Sequence, residues 1–392
     1  MLFLSVGSNY TFRQAVRHCF TVGQAKNSAD LQNLLVERYQ GKKALLFSRG
    51  RDALATAVRA ATGGQGSVIV TSLTCYSVID AVKTAGCEVI YADISPKTLQ
   101  FDEKDLQTAL KTKGVKAIIV QNTLGIATDI DKVLALAKKH NLVVIEDIAH
   151  AAGGQYADGR EIGTVGDMTM LSFGRDKMID TINGGALVIR TDSLPAVLEP
   201  AVVFPGIIRQ IRDRTYPLIG WTARALFPIG LGKYVIGVSY KLHLAKRSAD
   251  GAANPEMRLP HWQAKLAYKQ VKSLPLTAKN RLRRQERYLE TLEYLSPQRS
   301  SNAVRLPLLV ENRDEVMLAL KKSGYFTEDS WYEVPVSPKR LYHLVDFDEK
   351  THPVVSKVSQ HVLNLPTHQL VRDEDIDKIA EIIKKEAKPW NM

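Results

Sequence analysis

The segment Met170-Leu171-Ser172-Phe173-Gly174-Arg175-Asp176-Lys177 ends a hydrophobic strand pattern in a hydroxyl and places a lysine five residues later. Upstream, the segment Leu142-Val143-Val144-Ile145-Glu146-Asp147-Ile148-Ala149-His150 ends another apolar strand pattern in a carboxylate, with a histidine three positions after it. In parallel sheets, ligands bind at the carboxyl ends of the strands. We therefore expect Asp147, His150, Ser172 and Lys177 to belong to one site.

A lysine amine, a carboxylate and a hydroxyl are the groups that pyridoxal 5'-phosphate requires. The amine of Lys177 can form a Schiff base with the cofactor's aldehyde, and the carboxylate of Asp147 can keep its ring nitrogen protonated. The hydroxyl of Ser172 can help to hold the phosphate. The sequence therefore predicts pyridoxal 5'-phosphate as the cofactor and no metal site.

Strand and helix patterns alternate from about residue 44 to residue 192. Predicted strands cover 67–70, 88–93, 116–120 and 142–146, and helical spacing covers 78–85, 106–110 and 131–139. Strands that are apolar on both faces and separated by helices are typical of a parallel sheet covered on both sides. The fold class expected is therefore α/β.

Composition and charge are those of a globular enzyme. The chain has 392 residues, of which 45% are hydrophobic and 24% charged, so it can bury a sizeable core. Three cysteines without a CxxC pair favour a reducing compartment, and no signal-peptide core is present, so we expect a cytoplasmic protein. The net charge of +12 would suit anionic partners, but the sequence has no helix-turn-helix or zinc motif, and we expect no nucleic-acid binding.

Four short motifs follow one another along the chain. They are Glu146-Asp147-Ile148-Ala149-His150-Ala151; Gly159-Arg160 with Gly163 and Gly166-Asp167; Ser172-Phe173 to Lys177 with Gly184-Gly185-Ala186; and Val362-Leu363-Asn364-Leu365-Pro366-Thr367-His368. In order and spacing, the chain resembles the DegT/DnrJ/EryC1/StrS family of sugar aminotransferases, which have fold type I of the pyridoxal phosphate enzymes. The resemblance runs from about Ala44 to the C-terminus and is weakest between residues 200 and 255.

The resemblance implies roles for individual residues. Lys177 corresponds to the Schiff-base lysine, Asp147 to the partner of the pyridinium nitrogen, and His150 to the residue beside the cofactor's ring oxygen. Ser172 corresponds to a phosphate ligand. Gly50-Arg51-Asp52-Ala53-Leu54 is similar to the family's phosphate-binding helix start, where free N–H groups and the helix dipole hold an anion.

The chain departs from the family pattern at three places. Cys75 stands where an aromatic ring often stacks on the cofactor, so either Cys75 or the adjacent Tyr76 is expected to cover the ring. Arg51 replaces a hydroxyl residue in the phosphate loop. The segment Glu256-Met257-Arg258-Leu259 lacks the asparagine that in the family reaches the partner subunit's phosphate, and Asn254 is a candidate substitute.

Residues 205–250 form a basic, aromatic and apolar insertion. Its apolar runs are interrupted by Arg224 and Lys233, and they are too short for a transmembrane helix of about 18 residues or more. Such a composition is typical of a segment lying on a membrane surface. The alternative is that the insertion lines the dimer interface or the substrate cleft, with its apolar side buried in protein.

Together these observations predict four parts: an N-terminal helical segment (1–40), a cofactor-binding large domain (41–200), the basic apolar insertion (201–254) and a smaller α+β C-terminal domain (255–392). The resemblance implies a homodimeric aminotransferase. It would transfer an amino group from glutamate or glutamine to a keto sugar, expected to be nucleotide-linked, in cell-surface polysaccharide or secondary-metabolite biosynthesis. Two alternatives are a cofactor-dependent sugar dehydratase, although that branch has histidine in place of Lys177, and a non-catalytic membrane-surface scaffold or sensor that keeps the fold.

Overall fold

The computed structural model describes residues 2–3, 9–192, 203–247, 249–327 and 331–391. The N-terminal part contains one short strand followed by two helices. These are β1 (Leu2–Phe3), α1 (Phe12–Phe20) and α2 (Ala25–Arg38). Leu31 and Leu35 of α2 are fully buried and belong to the main hydrophobic core, so this helix packs on the body of the chain.

The next part alternates strands and helices as the sequence predicted. Its elements are β2 (Lys43–Phe47), α3 (Gly50–Thr62), β3 (Ser67–Thr71), β4 (Thr74–Cys75), α4 (Tyr76–Thr84), β5 (Glu88–Ala92), α5 (Glu103–Ala109), β6 (Val115–Gln121), α6 (Ile130–Lys139), β7 (Val143–Asp147), β8 (Met168–Ser172) and β9 (Gly185–Ile189).

Seven of these strands form one sheet in the order β2-β9-β8-β7-β6-β3-β5. The pairs from β5 to β8 are parallel, whereas β9 is antiparallel to both of its neighbours. Adjacent side chains on a strand point to opposite faces, so Val144 and Ile145 enter the two hydrophobic clusters on either side of the sheet. The prediction of a mostly parallel α/β sheet covered on both faces is confirmed.

The insertion and the C-terminal part follow. They contain α7 (Ile207–Leu226), α8 (Gly232–Lys241), α9 (His261–Leu292), β10 (Leu306–Leu309), α10 (Arg313–Lys322), β11 (Tyr325–Phe326), β12 (Val336–Ser337), α11 (Pro353–His361), β13 (Val362–Leu365) and α12 (Asp373–Glu386). Strands β10 and β13 pair antiparallel. No helix in the described ranges is long and apolar enough to cross a membrane.

A separate hydrophobic cluster joins the end of α9 to β10, β13, α10 and α12. This arrangement agrees with a smaller C-terminal unit, but the boundaries at 40, 200 and 254 stay predictions. Residues 193–202 and 248, which the predicted large domain and insertion include, lie outside the described residues.

Candidate active site

A buried glutamate organises the edge of the sheet where β7 ends. The Glu146 carboxylate accepts hydrogen bonds from the backbone N–H groups of Gly163, Val165 and Gly166 at 2.8, 2.9 and 2.7 Å. It also forms an ion pair with Arg190 at 3.0 Å. The glycine motif of residues 159–167 therefore folds around Glu146. Since adjacent residues of a strand point to opposite faces, Asp147 is turned the other way.

Asp147 faces a cavity at the carboxyl ends of β7 and β8. Seven of the nine predicted site residues line it, namely Gly50, Arg51, Cys75, Asp147, His150, Ser172 and Lys177. Asp52 and Tyr76 are not among the lining residues. Further lining residues that the sequence did not single out include Arg49, Gln121, Arg175, Asn183, Trp331 and Tyr332.

The Lys177 amine lies 2.5 Å from Nε2 of His150. The other ring nitrogen, Nδ1, accepts a hydrogen bond from the backbone N–H of Leu124 at 3.2 Å. Burial is the largest cause that holds the pKa of His150 well below its usual range, and it favours the neutral ring. A neutral ring that accepts at Nδ1 carries its proton on Nε2, and this N–H donates to the Lys177 amine.

This geometry presents the lone pair of the Lys177 amine to the ring N–H, which favours the neutral form of the amine. The pKa of Lys177 is lowered in the same direction, first by burial and then by the charge of Arg305. The Lys177 Nζ atom also lies 5.0 Å from the centre of the Trp331 ring. A desolvated, neutral lysine is a competent nucleophile for a carbonyl carbon.

Asp147 is held by two donors. Its carboxylate accepts from the backbone N–H of Ala149 at 2.9 Å and from Nε2 of Gln121 at 3.2 Å. The Gln121 amide is itself oriented, because its oxygen accepts from the hydroxyl of Thr74 at 2.5 Å. Burial raises the pKa of Asp147 from 3.8 to about 6. A cationic partner would favour the ionised form of this carboxylate.

The first turn of α3 lies against the end of β8. A Cβ atom built on Gly50 would come within 2.9 Å of both Cβ and Oγ of Ser172, and one on Gly185 within 2.5 Å of Cα of Gly50. Gly185 pairs with Ser172 in the β8–β9 register. Only glycine at these two positions allows the free N–H groups of a helix start to approach the Ser172 hydroxyl so closely. This is a fitting cradle for a phosphate group.

Arg51 and Cys75, which depart from the family pattern, both form hydrogen bonds within this chain. The buried Arg51 forms an ion pair with Asp80 at 3.2 Å and donates to the Ser77 hydroxyl at 2.8 Å. Its guanidinium adds positive charge to the cavity wall. The sulfur of Cys75 accepts from the N–H of Ser77 at 3.4 Å, and Cys75 rather than Tyr76 reaches the cavity.

Asp52 is buried behind the helix start. Its carboxylate accepts from the hydroxyl of Ser48 at 2.9 Å and from the backbone N–H of Asn254 at 2.8 Å. Within this chain Asp52 therefore fastens the segment before α9 to α3, and its predicted contact with the cofactor stays a prediction. The Asn254 side chain accepts from the N–H of Glu256 at 3.2 Å, so the predicted reach of Asn254 toward a partner subunit also stays a prediction.

The residues present fit pyridoxal phosphate on structural grounds. The cavity joins a buried amine whose pKa is lowered, a carboxylate whose pKa burial raises, and a glycine-built cradle for phosphate. Lys177, Asp147 and the Gly50–Ser172 cradle would hold the group. When bound, it supplies an aldehyde and an electron-withdrawing ring.

The lining residues that the sequence did not identify fall into two kinds. Gln121 ends β6 as Asp147 ends β7, so the rule that ligands bind at strand ends could have found it. Trp331 and Tyr332 come from the C-terminal part of the chain, far from any recognised motif. Their rings lie 6.1 and 6.2 Å from the His150 ring. No local pattern indicates this contact.

The fold and the cavity together define an enzyme of the pyridoxal phosphate class. The family model described as the DegT/DnrJ/EryC1/StrS aminotransferase family matches residues 10–384. The chain belongs to this family.

Individual relatives agree with the family assignment. The pleiotropic regulatory protein of Geobacillus stearothermophilus is 26% identical over 88% of this chain and 86% of its own length. GDP-perosamine synthase of Caulobacter vibrioides is 36% identical over 40% of this chain and 42% of its own length. Among solved structures, PseC of Helicobacter pylori, an aminotransferase of pseudoaminic acid biosynthesis, superposes with a TM-score of 0.71 at 20% identity. The superposition covers 98% of this chain and 99% of PseC, and at this identity the likeness concerns the fold.

Proposed function

We propose that this protein transfers an amino group from glutamate or glutamine to a nucleotide-linked keto sugar. The reaction would serve cell-surface polysaccharide or secondary-metabolite biosynthesis. The observation that carries the proposal is the buried amine of Lys177, 2.5 Å from Nε2 of His150 in a cavity that Asp147 also lines. Membership of the aminotransferase family supports the reaction type. The name of GDP-perosamine synthase supports the nucleotide-linked sugar.

The chain's own residues have distinct tasks in this proposal. Lys177 would hold the cofactor at its aldehyde carbon and would carry a proton to and from the substrate carbon. Asp147, oriented by Gln121, would hold a proton at the cofactor's ring nitrogen. His150 would position the lysine amine. The rings of Trp331 and Tyr332 limit the access of water to this part of the cavity.

The two alternatives predict different behaviour. A dehydratase of this family has histidine where this chain has Lys177, so the residue present favours transamination. A non-catalytic scaffold would need neither the buried amine of Lys177 nor the glycine-built cradle. Purified protein should be yellow from bound pyridoxal phosphate, and glutamate or glutamine should bleach that colour. A panel of nucleotide-linked keto sugars should then restore it, and the sugar that does so identifies the substrate. Protein that bound the cofactor but reacted with neither donor nor sugar would contradict the proposal.

We also infer that the chain forms a homodimer through the outer face of the insertion. This face exposes nine large apolar side chains, each at least 49% accessible: Ile207, Ile208, Ile211, Ile229, Leu231, Tyr234, Val238, Leu242 and Leu244. Such a patch on a protein surface is typical of an interaction site. The inner face of α7 adjoins the cavity wall, since Asp213 accepts from the Asn183 amide at 2.8 Å. The family resemblance, which implies a site built at a subunit interface, favours a partner subunit over a lipid surface as the occupant of the outer face.

Membrane contact through residues 205–250 stays a prediction. One double variant distinguishes a partner subunit from a membrane surface as the occupant of this face. Tyr234→Glu with Val238→Glu places charge on the most exposed part of α8. If the face is a dimer interface, light scattering should report a dimer for the wild type and a monomer for the variant. If it is a membrane surface, the wild type should sediment with anionic liposomes at low salt and the variant should not. A monomeric wild type that ignored liposomes would contradict both assignments.

A further inference from the structure

A second cavity opens beside the cofactor cavity. Arg49, Arg175 and Asn183 line both, so the two spaces are contiguous. The first part of α7 and residues 245–247 and 250–252 form its other walls. Its lining contains six cationic side chains, Arg49, Arg175, Arg209, Arg212, Lys246 and Arg247, against two acidic ones, Asp213 and Asp250.

Arg175 is a buried cation in the wall of this cavity. It is only 9% exposed, and its guanidinium stacks on the Tyr216 ring at 4.2 Å. One terminal nitrogen donates to the backbone carbonyl of Lys246. Its Nε atom is buried and has no hydrogen-bond partner among the residues that the structure describes. A buried N–H without a partner is costly, and an acceptor bound in this cavity would remove that cost.

Both acidic residues of this cavity already have a partner within the chain. Asp213 accepts from Asn183, and Asp250 pairs with Arg340 at 2.6 Å. By contrast, the guanidinium groups of Arg212 and Arg247 donate no hydrogen bond within the part of the chain that the structure describes. The cavity therefore keeps an excess of positive charge, with planar guanidinium groups whose geometry suits phosphate.

We propose that this cavity binds the diphosphate of the nucleotide-linked substrate; this rests on the proposed function. The cofactor's own phosphate has a different place, because Gly50 and Ser172 line only the first cavity. A diphosphate held between Arg175 and the Arg212–Arg247 side would leave the attached sugar free to extend past Arg49 and Arg175 toward Lys177. The basic residues of the insertion would then bind the substrate's phosphates, since α7 and the segment after α8 supply most of the cations in this cavity.

The test compares two charge-matched double variants of the cofactor-bound protein. Arg212→Gln with Arg247→Gln removes two cations from the cavity. Lys233→Gln with Lys241→Gln removes two exposed cations from α8, outside the cavity. The probes are UDP, GDP and inorganic pyrophosphate, measured by calorimetry, with cofactor content measured in parallel by absorbance. The cavity pair should bind UDP, GDP and pyrophosphate on the order of tenfold or more weakly than the wild type, and the α8 pair should match the wild type.

Three outcomes would overturn the proposal: a wild type that binds none of the probes, an equal loss in both variant pairs, or a loss of cofactor that parallels the loss of UDP. The last would assign the cations to the cofactor's phosphate. Failure of the proposed function is separable, because bleaching of wild-type protein by glutamate or glutamine requires no nucleotide. If bleaching occurs but UDP, GDP and pyrophosphate do not bind, the proposed reaction type is supported and the proposed diphosphate site is refuted.

Discussion

Replacing Asp147 with asparagine should stabilise the cofactor-free protein at neutral pH while crippling its activity. Burial raises the pKa of this carboxyl from 3.8 to about 6. Between these two values the folded protein retains a proton that the unfolded chain has lost. Stability therefore falls as the pH rises from about 4 to about 6, and it stays low above that range. A difference of about two pKa units corresponds to about 3 kcal/mol at most.

The asparagine variant has no ionisable group at this position, so it should not lose this stability as the pH rises. Its side-chain oxygen can keep the bond from the Ala149 N–H, and the amide of Gln121 can rotate to accept from the new NH₂ group. Thr74 can then accept instead of donate, so the rearrangement should cost about 1 kcal/mol or less. At about pH 8, the cofactor-free variant should be roughly 2 kcal/mol more stable than the wild type, and the advantage should vanish near pH 4.

Urea unfolding of both cofactor-free proteins at the two pH values measures this difference. Parallel pH profiles for wild type and variant would refute the assignment of a raised pKa to Asp147. The bound cofactor supplies the control, because a cationic ring nitrogen beside Asp147 lowers its pKa. Saturation with cofactor should flatten the wild-type profile. Activity of the variant should fall by orders of magnitude, since the ring nitrogen loses its counter-charge.

Three further changes test the rest of the site. Lys177→Ala should abolish the borohydride-stable link to the cofactor and lower turnover by several orders of magnitude, as mass spectrometry and activity assays would report; near-normal transamination would exclude Lys177 as the reacting amine. His150→Gln should be mild, because a glutamine amide can still accept from the Leu124 N–H and donate to the lysine; a loss in kcat equal to that of Asp147→Asn would contradict this role. Gly50→Ala should weaken cofactor retention and cost about 1–3 kcal/mol, because its methyl group would clash with Ser172. In contrast, Gly237→Ala, in open space on α8, should be neutral or slightly stabilising in thermal denaturation.

The sheet and much of the cavity could be predicted from local patterns. Apolar strand runs ending in Asp147 and Ser172 indicated both the parallel sheet and the edge where the site lies. This works because strand polarity and side-chain alternation are local properties, and parallel strands bring their carboxyl ends together. The glycines at 50 and 185 were visible as motif members, but their purpose was not. Only the packing of α3 against β8 gives the distances that exclude a Cβ atom there.

The sequence by itself determined the α/β class, the family and the residue types that suit pyridoxal phosphate. It could not determine the direction in which the pKa of Lys177 shifts, because that direction depends on burial and on the neighbouring charge of Arg305. It could not predict that Trp331 and Tyr332 close the cavity or that α7 carries cations to its edge. These contacts join elements that are distant in sequence, and Trp331 and Tyr332 lie more than a hundred residues from His150. Such proximity is decided by the packing of whole elements, which leaves no local periodic pattern.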